Sequence, residues 1–149
     1  MNNEETVDKQ INELDSSLAS LIESFTALEE ANGKNIPESW TRSMSAGVIK
    51  NFEFTFGVAT KLIISVLRLN LATELVGMSS FKNDMILASD NGIIDDANTW
   101  LEWRKFRNRT SHIYSQEMSI EILSHINRFI SDTQTLAARI KKYRGRDSN

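Results

Sequence analysis

Apolar residues recur along most of this chain at spacings of three and four, which is the spacing of one face of an α-helix. The clearest run consists of Val7, Ile11, Leu14, Leu18, Leu21, Phe25 and Leu28. This run predicts a first helix over roughly residues 4–31, which Gly33 would end in a left-handed cap. The segment GKNIPES that follows holds the only proline, Pro37, and predicts a connector.

A second long helix is predicted from near Ser43 to near Leu71. Its buried side would consist of Val48, Phe52, Phe56, Ala59, Ile63, Val66 and Leu67. The stretch FEFTF within it alternates like a strand, but Phe52 and Phe56 lie four apart in a longer helical pattern, so length favours a helix. Glu53 lies between these aromatics, and an exposed or pairing carboxylate on the helix flank is favoured over a catalytic one.

Three more helices are predicted in the second half of the chain. A short one over 80–90 would begin at the N-cap Ser80 and close at Gly92. The next would begin at the N-cap Asp95 and carry Trp100, Leu101 and Phe106. The final one would start after Ser115, with Glu117 in its first turn. Its apolar positions would be Ile122, Leu123, Ile126, Phe129, Ile130, Leu136 and Ile140.

These patterns predict an all-α fold without a convincing strand. Four longer helices with short links favour an antiparallel four-helix up-and-down bundle, with the 80–90 helix as an additional lid or cross-brace. The length of 149 residues is enough to bury a core without covalent staples. Without an internal repeat or a linker, residues 1–149 are expected to form a single helical-bundle domain with a basic tail at about 141–149.

The composition of the chain restricts the kinds of site that it can form. The absence of cysteine excludes disulfides and thiolate metal sites. The two histidines, His112 and His125, lack a zinc-protease spacing, so no metal and no other cofactor is expected. The N-terminal MNNEETVDKQ is unlike a secretory signal, and Lys61 and Arg68 interrupt the most apolar stretch, residues 58–71. A soluble cytoplasmic protein with no membrane partner is expected.

The formal net charge of −3 argues against a general nucleic-acid binder. The cations nevertheless cluster in two places, Arg104, Lys105, Arg107 and Arg109 in one and Arg139, Lys141, Lys142, Arg144 and Arg146 in the other. The second cluster is interpreted as a solvated tail whose cations offset a helix dipole. The first cluster surrounds the stretch RNRTSHIY, residues 107–114, and is the candidate functional region.

The geometry of this stretch poses a problem. On a regular helix Arg104, Asn108 and His112 share a face, whereas Arg107 lies about 140° round from His112. Arg107 and His112 can therefore reach one ligand only if the helix loosens before His112 or a second subunit contributes.

Each residue of the stretch has a structural and a functional interpretation. His112 is either a general acid or base near neutral pH or a hydrogen-bonded histidine at a helix end. Arg107 could hold a phosphate bidentately or pair with an acid. Asn108 could orient a ligand, and Tyr114 could pack under the turn or present its hydroxyl. His125, close to Ile122 and Phe129 in sequence, is expected at the core boundary. Together the residue types indicate a candidate phosphate-handling site.

Arg107, Asn108, three intervening residues and His112 resemble the R-polar-xxx-H motif of HEPN domains. Tyr114 completes the extended Rx4HxY form of the HepT toxin branch. FEFTFGVATKLI is similar to the second-helix signature of the nucleotidyltransferase substrate-binding proteins, and NGIIDDANTWLEWRKFRNRTSHIY is similar to the segment that leads into their motif. The resemblance covers roughly residues 5–140.

The resemblance implies a homodimer that brings two motif copies to one cleft and cuts RNA without metal. A ribose 2′-hydroxyl attacks the adjacent phosphate, which suits His112 as the proton-transfer group and Arg107 as the cation for the developing charge. Asn108 would help to orient the site. The neighbouring cations, Arg104, Lys105 and Arg109, are the expected RNA contacts.

The implied partner is a minimal nucleotidyltransferase that acts as antitoxin. In the HepT branch it adds AMP to the motif tyrosine, here Tyr114, which would place negative charge and bulk beside Arg107 and His112. Two alternatives remain. One is a non-catalytic subunit that delivers substrate to the nucleotidyltransferase, and the other is a helical dimer whose cluster makes only structural pairs.

Overall fold

The computed structural model of the chain describes residues 2–71, 76–77, 80–112 and 115–147. Its helices are α1 (Asn3–Asn32), α2 (Glu38–Leu71), α3 (Phe81–Asp90), α4 (Ala97–Thr110), α5 (Gln116–Leu123) and α6 (Ile126–Asp147). Within these residues the chain forms helices and turns and no strand, which confirms the all-α class. The antiparallel up-and-down arrangement and the homodimer stay predictions.

Helix α1 is defined by its ends. It begins at a capping box, in which the Asn2 side chain accepts from the Glu5 N–H at 2.7 Å and the Glu5 carboxylate accepts from the Asn2 N–H at 3.3 Å. The left-handed cap predicted at Gly33 is wrong, because its φ is −84°. The Gly33 N–H bonds to the carbonyl of Glu30, so the last turn tightens and a right-handed conformation suffices.

Helix α2 begins at Glu38, earlier than the predicted start near Ser43. Its first turns are polar and carry no apolar pattern, but the carbonyl of Pro37 accepts from the Trp40 N–H at 3.0 Å. The stretch FEFTF lies inside this helix, as predicted, with Phe52 fully buried. The ring of Phe52 meets Trp103, Phe106 and Phe129 edge-on at centroid distances of 6.3, 5.8 and 4.6 Å. These contacts join α2, α4 and α6 in one aromatic core.

The second half of the chain contains two well-defined caps. Ser80 caps α3 as predicted, accepting from the Asn83 N–H at 3.1 Å. At the other end Gly92 takes a φ of +74°, and the Ile93 N–H bonds to the Ala88 carbonyl at 2.9 Å. This is the hydrogen-bond pattern of a Schellman motif, which a left-handed residue makes possible.

The N-cap of α4 is Asp96, so the prediction of Asp95 is wrong. The Asp96 side chain accepts from the Asn98 N–H at 2.9 Å, whereas Asp95 pairs with Arg139. Both aspartates precede the helix, but one caps it and the other pairs with a cation of α6.

The predicted single final helix is also wrong, because it breaks into α5 and α6. The Ser124 N–H still bonds to the Ile120 carbonyl, but the His125 N–H bonds to the Ile122 carbonyl, three residues back. Ile122 and Ile126 on either side of this break are both fully buried. The break lets both helices bury apolar residues in the same core, which a helical repeat alone does not reveal.

The C-terminal cations are not simply a solvated tail. Helix α6 continues to Asp147, and Lys141 and Arg144 pair with Asp15 and Asp8 of α1 at 2.9 and 3.0 Å. These pairs tie the end of α6 to α1.

Helix α2 is the one helix among the described residues long and apolar enough, by length and composition alone, to cross a membrane. Its apolar positions, including Phe52, Leu62 and Val66, belong to the hydrophobic core. This is how the core helix of a soluble all-helical fold is built. A cytoplasmic location stays a prediction.

Candidate functional site

The first feature of the site is an ion pair between α4 and α2. Arg107 lies in the last turn of α4, and its Nη2 is 3.1 Å from Oε2 of Glu53. Both side chains are partly buried, with 32% of Arg107 and 21% of Glu53 exposed. The pair fixes the arginine of the motif against the middle of α2.

Two hydroxyls hold the same guanidinium from the other side. Nη1 of Arg107 donates to Oγ1 of Thr110 and to Oγ of Ser111, each at 3.2 Å. The Thr110 hydroxyl in turn donates to the Arg107 carbonyl at 2.6 Å. The residues between the motif arginine and the motif histidine thus act as supports for the guanidinium.

His112 lies just beyond the end of α4. The helix ends at Thr110, and the N–H groups of Ser111 and His112 bond to the carbonyls of Asn108 and Arg109, three residues back. The regular helical geometry therefore ends before His112, as one of the two resolutions predicted from sequence requires. His112 and Asn108 are both exposed.

Of the three cations expected to contact RNA, Arg104 and Arg109 contact different helices. The Cζ of Arg104 lies 4.7 Å from the ring centroid of Phe81, at the start of α3. Nη2 of Arg109 lies 2.7 Å from Oε1 of Glu121 on α5. Lys105 is exposed between them in sequence. The cluster is therefore spread around the end of α4.

The Arg109 pair changes the acidity of its partner. The hydrogen bond from Arg109, together with its positive charge, lowers the pKa of the Glu121 carboxyl. The lowered pKa extends the pH range in which Glu121 is ionised, and can pair with Arg109, toward acidic conditions.

The sequence also drew attention to Tyr114 and His125. Tyr114 lies outside the described residues. His125 is half-buried, and its ring meets Phe106 edge-on at 4.9 Å, which confirms the boundary position predicted for it. Among the described residues, no group of three or more histidine, aspartate or glutamate side chains is placed to hold a metal ion.

The structure confirms that Glu53 is a pairing carboxylate, as expected from sequence, but its partner was not identified there. The signal was a lone carboxylate within FEFTF, an otherwise apolar stretch of α2. A charge retained beside buried aromatics indicates a partner, but the partner, Arg107, lies in a different helix far along the chain. Only the packing of α2 against α4 identifies it.

Comparison with known families bears on this site directly. The family described as nucleotidyltransferase substrate binding protein like matches residues 9–142. The chain belongs to this family. The match covers every helix from α1 into α6, and it includes both Glu53 and the motif from Arg107 to His112.

Two relatives of this family member come from Haemophilus influenzae. One is a curated protein named probable ribonuclease HepT, 27% identical over 134 residues that make up 89% of this chain and 92% of the relative. The other is a solved structure described as the fold of a substrate binding domain of a nucleotidyltransferase. It has 27% identity and a TM-score of 0.81, covering 88% of this chain and 98% of that one.

These relatives confirm the resemblance to the HepT and nucleotidyltransferase substrate-binding branch. The name of the first relative indicates RNA cleavage, and the description of the second indicates substrate binding for a nucleotidyltransferase. Together they favour neither activity.

Proposed function

We propose that this protein is a metal-independent endoribonuclease of the toxin type, restrained by a minimal nucleotidyltransferase antitoxin. The observation that carries the proposal is the guanidinium of Arg107, fixed by Glu53, Thr110 and Ser111 at the end of α4, with the exposed His112 just beyond it. A fixed cation and an exposed imidazole in the same motif are groups that suit catalysis on a phosphodiester. The name of the HepT relative supports the same reading.

The proposed reaction is an internal transfer within RNA. The 2′-oxygen attacks the adjacent phosphorus as His112 takes up the 2′-hydroxyl proton. The bond from phosphorus to the 5′-oxygen then breaks, leaving a 2′,3′-cyclic phosphate and a 5′-hydroxyl that receives a proton from an imidazolium or from water. Arg107 stabilises the additional negative charge on the phosphoryl oxygens, and Asn108 orients the site.

A homodimer completes the proposed site. Arg107 is held toward α2, whereas His112 lies beyond the helix end, so residues from two copies can converge on one phosphate. Arg104 and Lys105 are exposed around the same helix end and would contact RNA. Arg109 would join them only by loosening its contact with Glu121.

The test is cleavage of single-stranded or transfer RNA by purified protein in the presence of EDTA. The wild-type protein is expected to cut, and His112→Ala is expected to lose the activity. His125→Ala provides the matched control, because this histidine packs against Phe106 outside the motif. Continued cutting by His112→Ala, or loss of wild-type cutting on addition of EDTA, would overturn the assignment.

A second candidate function is a non-catalytic subunit that binds substrate for a nucleotidyltransferase. The family description and the solved Haemophilus influenzae structure favour it specifically. It predicts that the purified chain leaves RNA intact but raises the activity of a partner nucleotidyltransferase. Either function places the protein in the cytoplasm together with that partner.

A further inference from the structure

We propose that Glu53 is a positioning residue for Arg107, so that the site for RNA phosphate depends on a carboxylate of α2 outside the motif. This inference rests on the proposed ribonuclease function. Glu53 itself is not proposed to contact RNA. It acts through the guanidinium of Arg107, which lies 3.1 Å away.

Burial distinguishes this pair from the other ion pairs of the described residues. It is the one pair there in which both side chains are less than a third exposed, at 32% and 21%. The pair of Arg128 with Glu102, by contrast, is 57% and 64% exposed. Exposed pairs contribute little because water screens them and their side chains remain mobile. The Glu53 pair is sheltered enough to fix an orientation.

The contacts also define which edge of the guanidinium is occupied. Arginine has five N–H donors in a planar fork. The described contacts of Arg107 use Nη1, toward Thr110 and Ser111, and Nη2, toward Glu53. These described contacts do not use Nε–H or a second Nη2 proton, and these two donors are the ones proposed to meet an incoming phosphate. Three supports therefore hold the plane of the cation before the substrate arrives.

The fixed guanidinium of Arg107 should affect the rate of the chemical step more than the binding of the substrate. A fixed cation stabilises the charge that develops on the phosphate without having to reorganise. On substrate binding Glu53 has two opposing effects, because it holds the Arg107 cation in place but its own carboxylate repels the anionic substrate, and these effects nearly cancel. Loss of Glu53 should therefore lower kcat while leaving KM nearly unchanged.

The experiment measures kcat and KM for cleavage of a short single-stranded RNA by the full-length protein and three variants. Glu53→Ala removes the support, and its kcat is expected to fall about 10- to 100-fold, with KM changed by less than about threefold. Glu53→Gln keeps an oxygen that can accept from Arg107, so its kcat should fall less, by about three- to tenfold. Glu102→Ala, which breaks the exposed pair with Arg128, should stay within about twofold of wild type.

Thermal melting shows whether each variant folds. If Glu53→Ala does not fold, Glu53→Gln tests the inference instead, because glutamine has nearly the same shape as glutamate. The kcat of Glu53→Gln must then still fall while its KM stays constant. A wild-type kcat in the folded Glu53 variants, equal losses in Ala and Gln, or a change in KM alone would overturn the positioning role. Wild-type protein that does not cut RNA overturns both this inference and the proposed function, whereas wild-type cutting with an unaffected Glu53→Ala overturns only the inference.

Discussion

Glu53 and Arg107 form an ion pair of 3.1 Å that joins the middle of α2 to the last turn of α4. The pair directs the guanidinium of the motif toward α2, while His112 follows in the turn after Thr110. Of the two groups proposed for catalysis, one thus lies in the last turn of α4 and the other just beyond its end.

The proposed homodimer with a site shared between two copies predicts that mixing two inactive variants restores activity. If one active site combines Arg107 of one copy with His112 of the other, a mixed dimer of Arg107→Ala and His112→Ala contains one intact site. With free subunit exchange, the mixture should recover roughly a quarter of wild-type RNA cleavage, because about half of the dimers are mixed.

The control for this experiment is the mixture of each variant with itself, which should remain inactive. If the mixture of the two variants is also inactive although native mass spectrometry detects mixed dimers, each site lies within a single chain.

Tyr114 is the expected site of modification. Co-expression with a minimal nucleotidyltransferase, the proposed partner, should add the mass of one adenylyl group to the protein, and Tyr114→Phe should prevent the addition. The modified protein should bind RNA less well, because the adenylate adds negative charge beside the motif. Intact-mass spectrometry checks the adduct, with Tyr143→Phe as the matched tyrosine control. An adduct that persists in Tyr114→Phe would exclude this residue.

The two phenylalanines that flank Glu53 should differ sharply in their effect on stability. Phe52 is fully buried among aromatic rings of α4 and α6, so Phe52→Ala should lower the free energy of unfolding by about 3–5 kcal/mol. Phe54 is 63% exposed, and Phe54→Ala should change it by less than about 0.5 kcal/mol. Urea denaturation measures both. Similar losses would contradict the packing described for α2.

Gly92 and Gly47 should respond oppositely to alanine. Gly92 has a φ of +74° in the turn after α3, so Gly92→Ala should cost about 1–2 kcal/mol of folding stability. Gly47 lies within α2 with open space beside its Cα, so Gly47→Ala should stabilise by up to about 1 kcal/mol. Chemical denaturation under identical conditions compares them. A stabilising Gly92→Ala would contradict the left-handed cap.

The lowered pKa of Glu121 predicts a pH dependence. The pKa of Glu121 is lower in the folded than in the unfolded state, because the ionised carboxyl interacts with Arg109. The contribution of this interaction to folding stability is therefore fully present above the unfolded pKa, and it is lost as the pH falls through the folded pKa. Arg109→Ala should return the pKa of Glu121 toward its usual value and remove this acid sensitivity. NMR titration of the Glu121 carboxyl measures the change, with Arg128→Ala as the control. A lowered pKa that survives Arg109→Ala would require another cause.

The sequence was enough to determine the helical class and most helix positions. The repeat of apolar residues at three and four places the stripes of α1 and α2, because a helix that buries one face must carry this period. Ser80 and Gly92 were recognisable as caps because their roles depend on local backbone geometry. The motif from Arg107 to His112 was likewise visible, since its spacing is local.

Only the tertiary structure decided which distant groups meet. Asp96 caps α4, whereas Asp95 pairs with Arg139 from α6, a contact between residues far apart in sequence. The last helix breaks near Ser124 because two segments must bury their apolar faces in one core. Glu53 pairs with Arg107 because α2 packs against α4. Helical periodicity fixes which face of each helix is buried, but the partners of charged side chains depend on how the helices pack.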